Sequence, residues 1–366
     1  MYGGPIHSIA TLCESLVEAG NEVTVYTTTA NGKLELDVIG GREYLVDGVR
    51  VFYFTRNTKG HSNFSIGLLK RFLATCKDFE IVHLQSWWNL VIIPSALICL
   101  SKGIYPIVSL RGTLTDYTFS HRRLLPKRII HALLGRRLLS HSSLHVTSER
   151  EGIEASRYVQ ARHVYTIPNM LELPSDIYGS YQQKPYLNIL FLGRIDPAKN
   201  LEMLFRVLSQ PFSFPFQLIV AGDGPPDYIE KLKGQTNQTK EILWIGKVEG
   251  EQKFKLLGES DLLILPSHTE NFGNVVIEAL SQGTPVMVSS NVGAKDYVLQ
   301  HQLGWVIYGG ENEWRKSIEH IWNNKAEMLN IRNRAAACIA HDFNRSEQVK
   351  SYMAMYLQHQ QRTGQA

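Results

Sequence analysis

Asp261-Leu262-Leu263-Ile264-Leu265-Pro266-Ser267-His268-Thr269-Glu270-Asn271-Phe272-Gly273-Asn274-Val275-Val276-Ile277-Glu278-Ala279-Leu280 is the stretch that decides the fold class. Its opening reads as an apolar strand ending at Leu265, and the polar residues 266–270 leave from that strand's carboxyl end. Asn271 has the side chain of a good N-cap, so a helix is expected from there to Gly283. The N–H groups near Gly273 and Asn274 would open that helix and form a natural seat for a phosphate. Glu278 stands among Val275, Val276, Ile277, Ala279 and Leu280 on a helix expected to pack against a sheet. Burying an unpaired carboxylate is costly, so it requires a partner, either a buried hydrogen-bond network or a pair of ligand hydroxyls. The plain alternative is a polar helix face with Glu270 as a solvated loop acid. Two acids within one strand-loop-helix frame favour a site.

The same alternation runs outward along nearly the whole chain. Val23–Tyr26 reads as a strand after a helix stopped at Gly20, and further strands are expected at 81–84, 106–110, 144–147 and 163–167. A capping box, Ser148-x-x-Glu151, opens one of the intervening helices. Between Pro168 and Pro185 the periodicity stops, and three prolines lie in a polar, aromatic mixture that reads as a linker. A second series of strands follows at 188–192, 217–220, 242–245, 261–265, 285–288 and 305–307, and the tail from about Glu311 reads as helical throughout. The expected architecture is α/β, with two Rossmann-like, doubly wound parallel-sheet domains facing a central cleft. The first would span 1–170, the linker 171–186 and the second domain 187–345. A terminal helix, 346–366, is placed to cross back to the first domain. Ligands in such sheets bind at the carboxyl ends of the strands.

Composition agrees with this and excludes other classes. At 366 residues the chain is longer than one core usually supports, and 44% hydrophobic with 20% charged residues rules out disorder and coiled coil. The balance of 38 Lys+Arg against 34 Asp+Glu leaves +4, so no nucleic-acid partner is expected. No apolar run reaches the roughly 20 residues of a membrane-spanning helix, and Met1-Tyr2-Gly3-Gly4-Pro5 does not open like a signal peptide. Cys13, Cys76, Cys99 and Cys338 form no C-x-x-C and are expected to be reduced, in a cytoplasmic protein. No metal site is expected, because no two aspartates stand two apart and the 13 histidines show no H-E-x-x-H.

Three more motifs follow strands or open helices. In Leu192-Gly193-Arg194-Ile195-Asp196-Pro197-Ala198-Lys199-Asn200, Arg194 and Lys199 would hold two positive charges over the cleft, which suits a departing diphosphate. The alternative is that Arg194 pairs with Asp196 and Lys199 only caps the preceding loop. Ala221-Gly222-Asp223-Gly224-Pro225 is a tight glycine turn too short for a dinucleotide fingerprint, and Gly3-Gly4-Pro5 precedes the first helix, where glycine admits a close ligand. Between Tyr117 and Ser148 six basic residues (Arg122, Arg123, Lys127, Arg128, Arg136, Arg137) interleave with leucine and isoleucine, and no acid is present. This is either a solvated basic helix face or a contact for an anionic membrane surface or a phosphate-bearing substrate.

In this order the motifs resemble the retaining nucleotide-sugar glycosyltransferases of family 4, which have the GT-B architecture. The carriers are Gly3-Gly4-Pro5, the Gly-Arg-x-x-x-x-Lys run 193–199, Ala221–Pro225, Pro168-Asn169 before the linker, and above all the Glu-x7-Glu element 270–278. The resemblance implies that Arg194 and Lys199 hold the donor diphosphate and stabilise it as leaving group. Glu278 would bind the ribose hydroxyls and Glu270 would face the donor sugar. Asn271, Phe272, Gly273 and Asn274 would offer backbone groups. Gly3, Gly4, Arg111, Gly222 and Gly224 would complete the donor site, with base contacts from Lys247 and Val248. It further implies transfer with retention and without a metal or other cofactor. The donor would be a UDP- or GDP-sugar and the acceptor a glycan or polyprenyl-diphosphate-linked glycan in cell-surface polysaccharide assembly. Trp87, Trp88, Arg111 and Tyr117 would serve the acceptor side, with hydrophobic packing as the equal alternative for the two adjacent tryptophans.

Two departures accompany the resemblance. Where many relatives carry a histidine, this chain has Arg111-Gly112, and Arg111 would reach a phosphate or the sugar, or pair with Asp116. Relatives place a complete strand ahead of the Gly-Gly loop, whereas only Met1-Tyr2 stands there. The first sheet is therefore expected to lack a central strand and to be of low stability, unless another segment fills the gap. A nucleotide-sugar 2-epimerase of the same architecture and a catalytically silent nucleotide-sugar-binding protein are the rival readings.

Overall fold

Long apolar runs form the strands, and the positions where glycine or a polar residue breaks them form the loops. The computed structural model describes residues 4–32, 34–58, 63–116, 118, 125–237 and 239–364, the side chains of 4, 5 and 125–127 excepted. The chain divides into two units, one made of 1–172 together with 345–366 and the other of 173–344.

In the first unit β1 (Thr24–Thr28) lies parallel to β5 (Val49–Phe54), which carries the antiparallel β4 (Glu43–Val46) on its other edge. The short β2 (Ala30–Asn31) and β3 (Leu34–Glu35) pair antiparallel. A second, all-parallel sheet contains β6 (His83–Gln85), β7 (Ile107–Ser109), β8 (Ser143–Val146) and β9 (His163–Thr166) in that order. Among the described residues no ladder joins the two larger sheets. Neighbouring residues of β7 enter different cores, as the period of two requires. Ile107 joins Leu12 and Leu16 of the helix Gly4–Glu18 and Val349, Tyr352 and Met355 of the helix Arg345–Thr363. Val108 joins Leu68 and Phe72 of Ile66–Thr75 and Cys99 of Ile92–Lys102.

A polar relay threads this apolar sandwich. His145 Nε2–H donates to the Ile167 carbonyl at 2.9 Å, so its Nδ1 accepts from Ser109 Oγ–H at 2.6 Å. Ser109 Oγ then accepts from His83 Nε2–H at 2.7 Å, and His83 Nδ1 accepts from Tyr356 O–H at 3.0 Å. With both imidazoles neutral, this arrangement gives every bond in the chain one donor and one acceptor. Burial holds both well below the ordinary value of 6.5, and His145 falls to about 3.

The second unit is one six-stranded parallel sheet: β10 (Leu187–Leu192), β11 (Phe216–Ala221), β12 (Ile242–Gly246), β13 (Leu262–Leu265), β14 (Val286–Ser289) and β15 (Gly304–Ile307). Its order is β12-β11-β10-β13-β14-β15, so the winding reverses between β10 and β13. That reversal is the topological switch point of a doubly wound sheet, where adjoining loops diverge and leave a crevice. Every residue of β10, β13 and β14 is buried, as expected of strands covered on both faces.

Two expectations at the helix after β13 need correction. The helix is Asn274–Ser281, and Gly273, not Asn271, precedes its first residue. Gly273 sits at φ +92°, a left-handed turn that only glycine adopts freely, and this turn delays the helix start. The helix also stops before Gly283, because the Thr284 N–H reaches the Ala279 carbonyl and the Gly283 N–H reaches that of Leu280 in a Schellman ending. Val276, Ile277, Ala279 and Leu280 are fully buried. Each of the three larger side chains contributes about 1.5–3 kcal/mol on burial, and together they fix the helix's rotation.

Candidate functional site

The loops at the carboxyl ends of the second unit's strands are sewn together by main-chain hydrogen bonds in the order of the strands. Gly222 N–H donates to the Gly246 carbonyl (2.8 Å), Gly193 N–H to that of Ala221 (3.1 Å) and Ile195 N–H to that of Asp223 (2.8 Å). These approaches explain the glycine turn after β11. A Cβ on Gly222 would lie 1.8 Å from the Gly193 oxygen, and one on Gly224 would lie 2.0 Å from the Ile195 oxygen. On the other side of the switch point, the His268 N–H reaches the Ala198 carbonyl (2.8 Å), and the Glu270 and Ala294 N–H groups bind the carbonyls of Asn291 (3.1 Å) and Phe272 (2.7 Å). The platform is rigid because backbone, not long side chains, closes it.

Lys199 leaves the loop after β10 and Glu270 the loop after β13, so the two flank the switch point and form a direct, largely buried ion pair. The site expected from sequence is thus assembled from positions 71 apart. Arg194 lies farther out, 78% exposed, and its Nε is 2.6 Å from Asp196 Oδ2, so of the two alternatives for this residue the structure shows the local pair. Asp196 also accepts from the Ala198 N–H at 2.9 Å, which caps the short turn Pro197–Lys199 and aims Lys199 back over the sheet. Lys247 pairs with Glu249 at 2.6 Å on the surface, beside Val248 and the left-handed Gly246. Asn271, Phe272 and Gly273 line the loop before the helix, with Phe272 buried and Asn274 the first helical residue.

Glu278 projects from the helix Asn274–Ser281 without being buried as deeply as its neighbours. Its carboxylate has a partner within the unit that sequence reading did not name: Lys253 Nζ, 3.1 Å from Oε1. Lys253 lies in the first turn of the helix Gly250–Gly258. No periodicity signals this pair, because it depends on two helices packing 25 residues apart.

In the first unit Arg111 follows β7 in a left-handed conformation, φ +53°, and is buried. It does not pair with Asp116, whose carboxylate binds Arg157 and accepts from the Tyr158 hydroxyl at 2.7 Å. Its Nη1 donates instead to Asn169 Oδ1 and, at 3.4 Å, to Ser8 Oγ, and its Nε to Gln85 Oε1 at 3.4 Å. The next residue is held by Glu151, which accepts from the Gly112 N–H at 2.6 Å and the Thr147 N–H at 2.7 Å. Burial raises the Glu151 pKa, and these bonds oppose the rise. Trp87 is fully buried in the core and therefore does not offer a stacking face, whereas Trp88 is half-buried and donates its indole N–H to the Thr113 carbonyl at 2.9 Å. Gly3 and Tyr117 lie outside the described residues, and Gly4 opens the first helix. Among the described residues no group of three or more His, Cys, Asp or Glu is placed to hold a metal, and no helix is long and apolar enough to cross a membrane.

A doubly wound sheet with an ion pair across its switch point defines the class of α/β proteins that seat ligands at strand carboxyl ends. Residues 2–173 match the family model described as Glycosyltransferase Family 4, and residues 179–337 match the one described as Glycosyl transferases group 1. The chain therefore belongs to the glycosyltransferases of GT-B architecture. Its fold is similar to that of sucrose-phosphate synthase from Thermosynechococcus elongatus, with a TM-score of 0.74 and 18% identity over 97% of this chain and 93% of that one. It is also similar to Anabaena Alr3699/HepE, solved in complex with UDP and glucose, with a TM-score of 0.73 and 18% identity over 97% of both chains. An uncharacterized 41.2 kDa protein in the cps region of Klebsiella pneumoniae is 29% identical over 184 residues, covering 48% of this chain and 47% of the relative. The chain spans about half the length, or less, of the first curated relatives it matches.

Proposed function

We propose that this glycosyltransferase moves a sugar from a nucleotide diphosphate, UDP or GDP, to a glycan or polyprenyl-diphosphate-linked acceptor in cell-surface polysaccharide assembly. Transfer retains the anomeric configuration and uses no metal. The observation that carries the reading is the Lys199–Glu270 pair across the switch point, beside the start of the helix Asn274–Ser281. Opening a largely buried pair is costly unless each charge gains a new partner, and a donor supplies both, its diphosphate for Lys199 and its sugar hydroxyls for Glu270.

The residues then take complementary roles. Lys199, freed from Glu270, neutralises the leaving diphosphate, and Arg194 swings from Asp196 to join it. Glu270 turns to the donor sugar, backbone groups of 271–274 fix the sugar and phosphates, and Glu278 accepts from the ribose hydroxyls. As the bond from the anomeric carbon to the phosphate oxygen breaks, the acceptor oxygen bonds to the same face of an oxocarbenium-like centre. The acceptor proton passes to the departing phosphate, so no protein nucleophile is required. Charge stabilisation on the leaving group is the largest contribution of such a site.

The first unit would bind the acceptor. Its outward Ile129, Ile130, Leu133 and Leu134, set among the exposed Arg128, Arg136 and Arg137, support work at the anionic, cytoplasmic face of a membrane. Arg122, Arg123 and the side chain of Lys127 lie outside the described residues.

A thermal-shift panel of UDP, GDP, ADP, dTDP and CMP in EDTA, on wild type and Glu278→Ala, tests the donor class. One nucleoside diphosphate should stabilise the wild type by about 2.7 kcal/mol at 100 times its Kd and the variant by much less. Equal shifts in both proteins, or none with any nucleotide, would remove the basis of the proposal.

A further inference from the structure

Lys253 carries chemistry that the roles above do not use. Its Nζ lies 3.1 Å from Glu278 Oε1, and the two side chains are only 24% and 17% exposed. The same Nζ sits 4.4 Å from the centroid of the Phe254 ring. Phe254 is itself buried and stacked on Tyr178, with ring centroids 6.3 Å apart and an interplanar angle of 28°. The ammonium is thus fixed from two directions, by a carboxylate and by the face of an anchored ring. Among the described residues Lys253 is the one partner of the Glu278 carboxylate, and it occupies a single oxygen. A glutamate on a helix surface otherwise samples many rotamers, and a ligand hydroxyl pair would have to select one of them.

We propose that Lys253 is a positioning residue for the nucleotide: by holding Glu278 Oε1 it turns Oε2 to accept from a ribose hydroxyl, and so sets the preference of the site for ribo- over 2′-deoxyribonucleoside diphosphates. This rests on the reading of Glu278 as the ribose-binding acid. The mechanism is pre-organisation. The carboxylate is locked before the ligand arrives, so the diol meets an acceptor already in place. Lysine suits the position because its ammonium can share its three donors between Oε1 and an incoming hydroxyl.

The test is calorimetric titration of the full chain with UDP, GDP and ADP and with their 2′-deoxy counterparts, for wild type, Lys253→Met, Lys253→Arg and Glu278→Gln. The ratio of the deoxy to the ribo Kd is the readout. Wild type should discriminate about tenfold, the value of one well-made hydrogen bond to a charged group. Lys253→Met should bring the ratio close to one while leaving the deoxynucleotide Kd unchanged, and Lys253→Arg should restore most of it. An unchanged deoxynucleotide Kd shows that the variant is folded with its phosphate contacts intact, and a merely structural lysine would not move the ratio. Loss of discrimination in Glu278→Gln but not in Lys253→Met overturns the role of Lys253 alone. Discrimination that survives Glu278→Gln, or no binding of any of the six nucleotides, overturns the ribose assignment beneath it.

Discussion

Acidification should destabilise the first unit through His83 and His145, and the relay fixes both the sign and the size. Both imidazoles are neutral in the fold, held there first by burial, then by neighbouring charge, from His145 and Arg111 on His83 and from Arg111 on His145. In the unfolded chain each returns to an ordinary value near 6.5. Their folded values are depressed, so this stability is complete above that value and is lost as pH falls towards the folded values. At pH 7.5 an unfolded imidazole is about one-tenth protonated and at pH 5.5 about nine-tenths, a difference of one pH unit of proton uptake, or about 1.4 kcal/mol for each group. The two together remove about 2.7 kcal/mol, a large share of a domain's usual 5–15 kcal/mol. Glu151 acts in the opposite sense, because its raised folded pKa favours the fold as pH drops, but it is common to wild type and variants and cancels in their difference. The assay is hydrogen-exchange mass spectrometry of peptides from β6, β7 and β8 at the two pH values, corrected for intrinsic exchange, on wild type, His83→Gln and His145→Gln. Each variant should lose about 1.4 kcal/mol of the wild-type pH dependence, whatever its absolute stability, and the contributions of Glu151, His131 and His359, common to all three proteins, cancel in that difference. Variants that keep the full wild-type slope from pH 7.5 to 5.5 would refute the neutral relay.

Lys199→Met should lower donor turnover by about 10²–10³-fold, measured as donor hydrolysis, with a much smaller change in nucleotide Kd, since its charge is needed most as the diphosphate departs. Gly224→Ala forces a methyl to within 2.0 Å of the Ile195 oxygen and should cost the second unit about 1–3 kcal/mol. A wild-type urea midpoint in that variant would show that the loop platform yields. Replacing Leu133, 73% exposed, together with Arg128 and Arg137, by Gln should reduce sedimentation with phosphatidylglycerol vesicles and leave nucleotide binding intact. Unchanged sedimentation would mark the segment as an ordinary solvated helix.

The second unit was almost fully legible because its strands are continuous aliphatic runs, and β13, Leu262–Leu265, differs from the expected stretch only by Asp261. That aspartate instead accepts from the Asn188 N–H at 2.7 Å and joins the start of β10 to the start of β13, a role no local pattern announces. The β4–β5 hairpin was missed although its signal was present. Val46-Asp47-Gly48-Val49 has the two-residue loop of a type I′ turn, and Asp47 and Gly48 both take positive φ, +48° and +80°. That Glu270 and Lys199 lie at strand carboxyl ends was legible because each follows an apolar run. Their direct pairing was not, since it depends on the strand order. Lys253 and the histidine relay were invisible for the same reason: their partners come from separate elements, and only packing brings them together. The adjacent Trp87 and Trp88 show the limit most simply, for residue type alone cannot say which of two neighbours enters the core.

The first unit is closed by a helix from the far end of the chain. Tyr356 terminates the relay, Tyr352 packs beside His145, and Arg345 binds Ser15 Oγ at 2.6 Å. Residues 1–172 must therefore wait for the whole of 173–344 to be synthesised before their last element is made, whereas the second unit is contiguous in the chain. A chain ending near residue 344 would hold the second unit's whole sequence, while in the first unit the apolar strip at Leu12, Leu16 and Ile107 would lack its cover, a form suited to chaperone capture. The unit that begins the chain is thus also the one completed by its end.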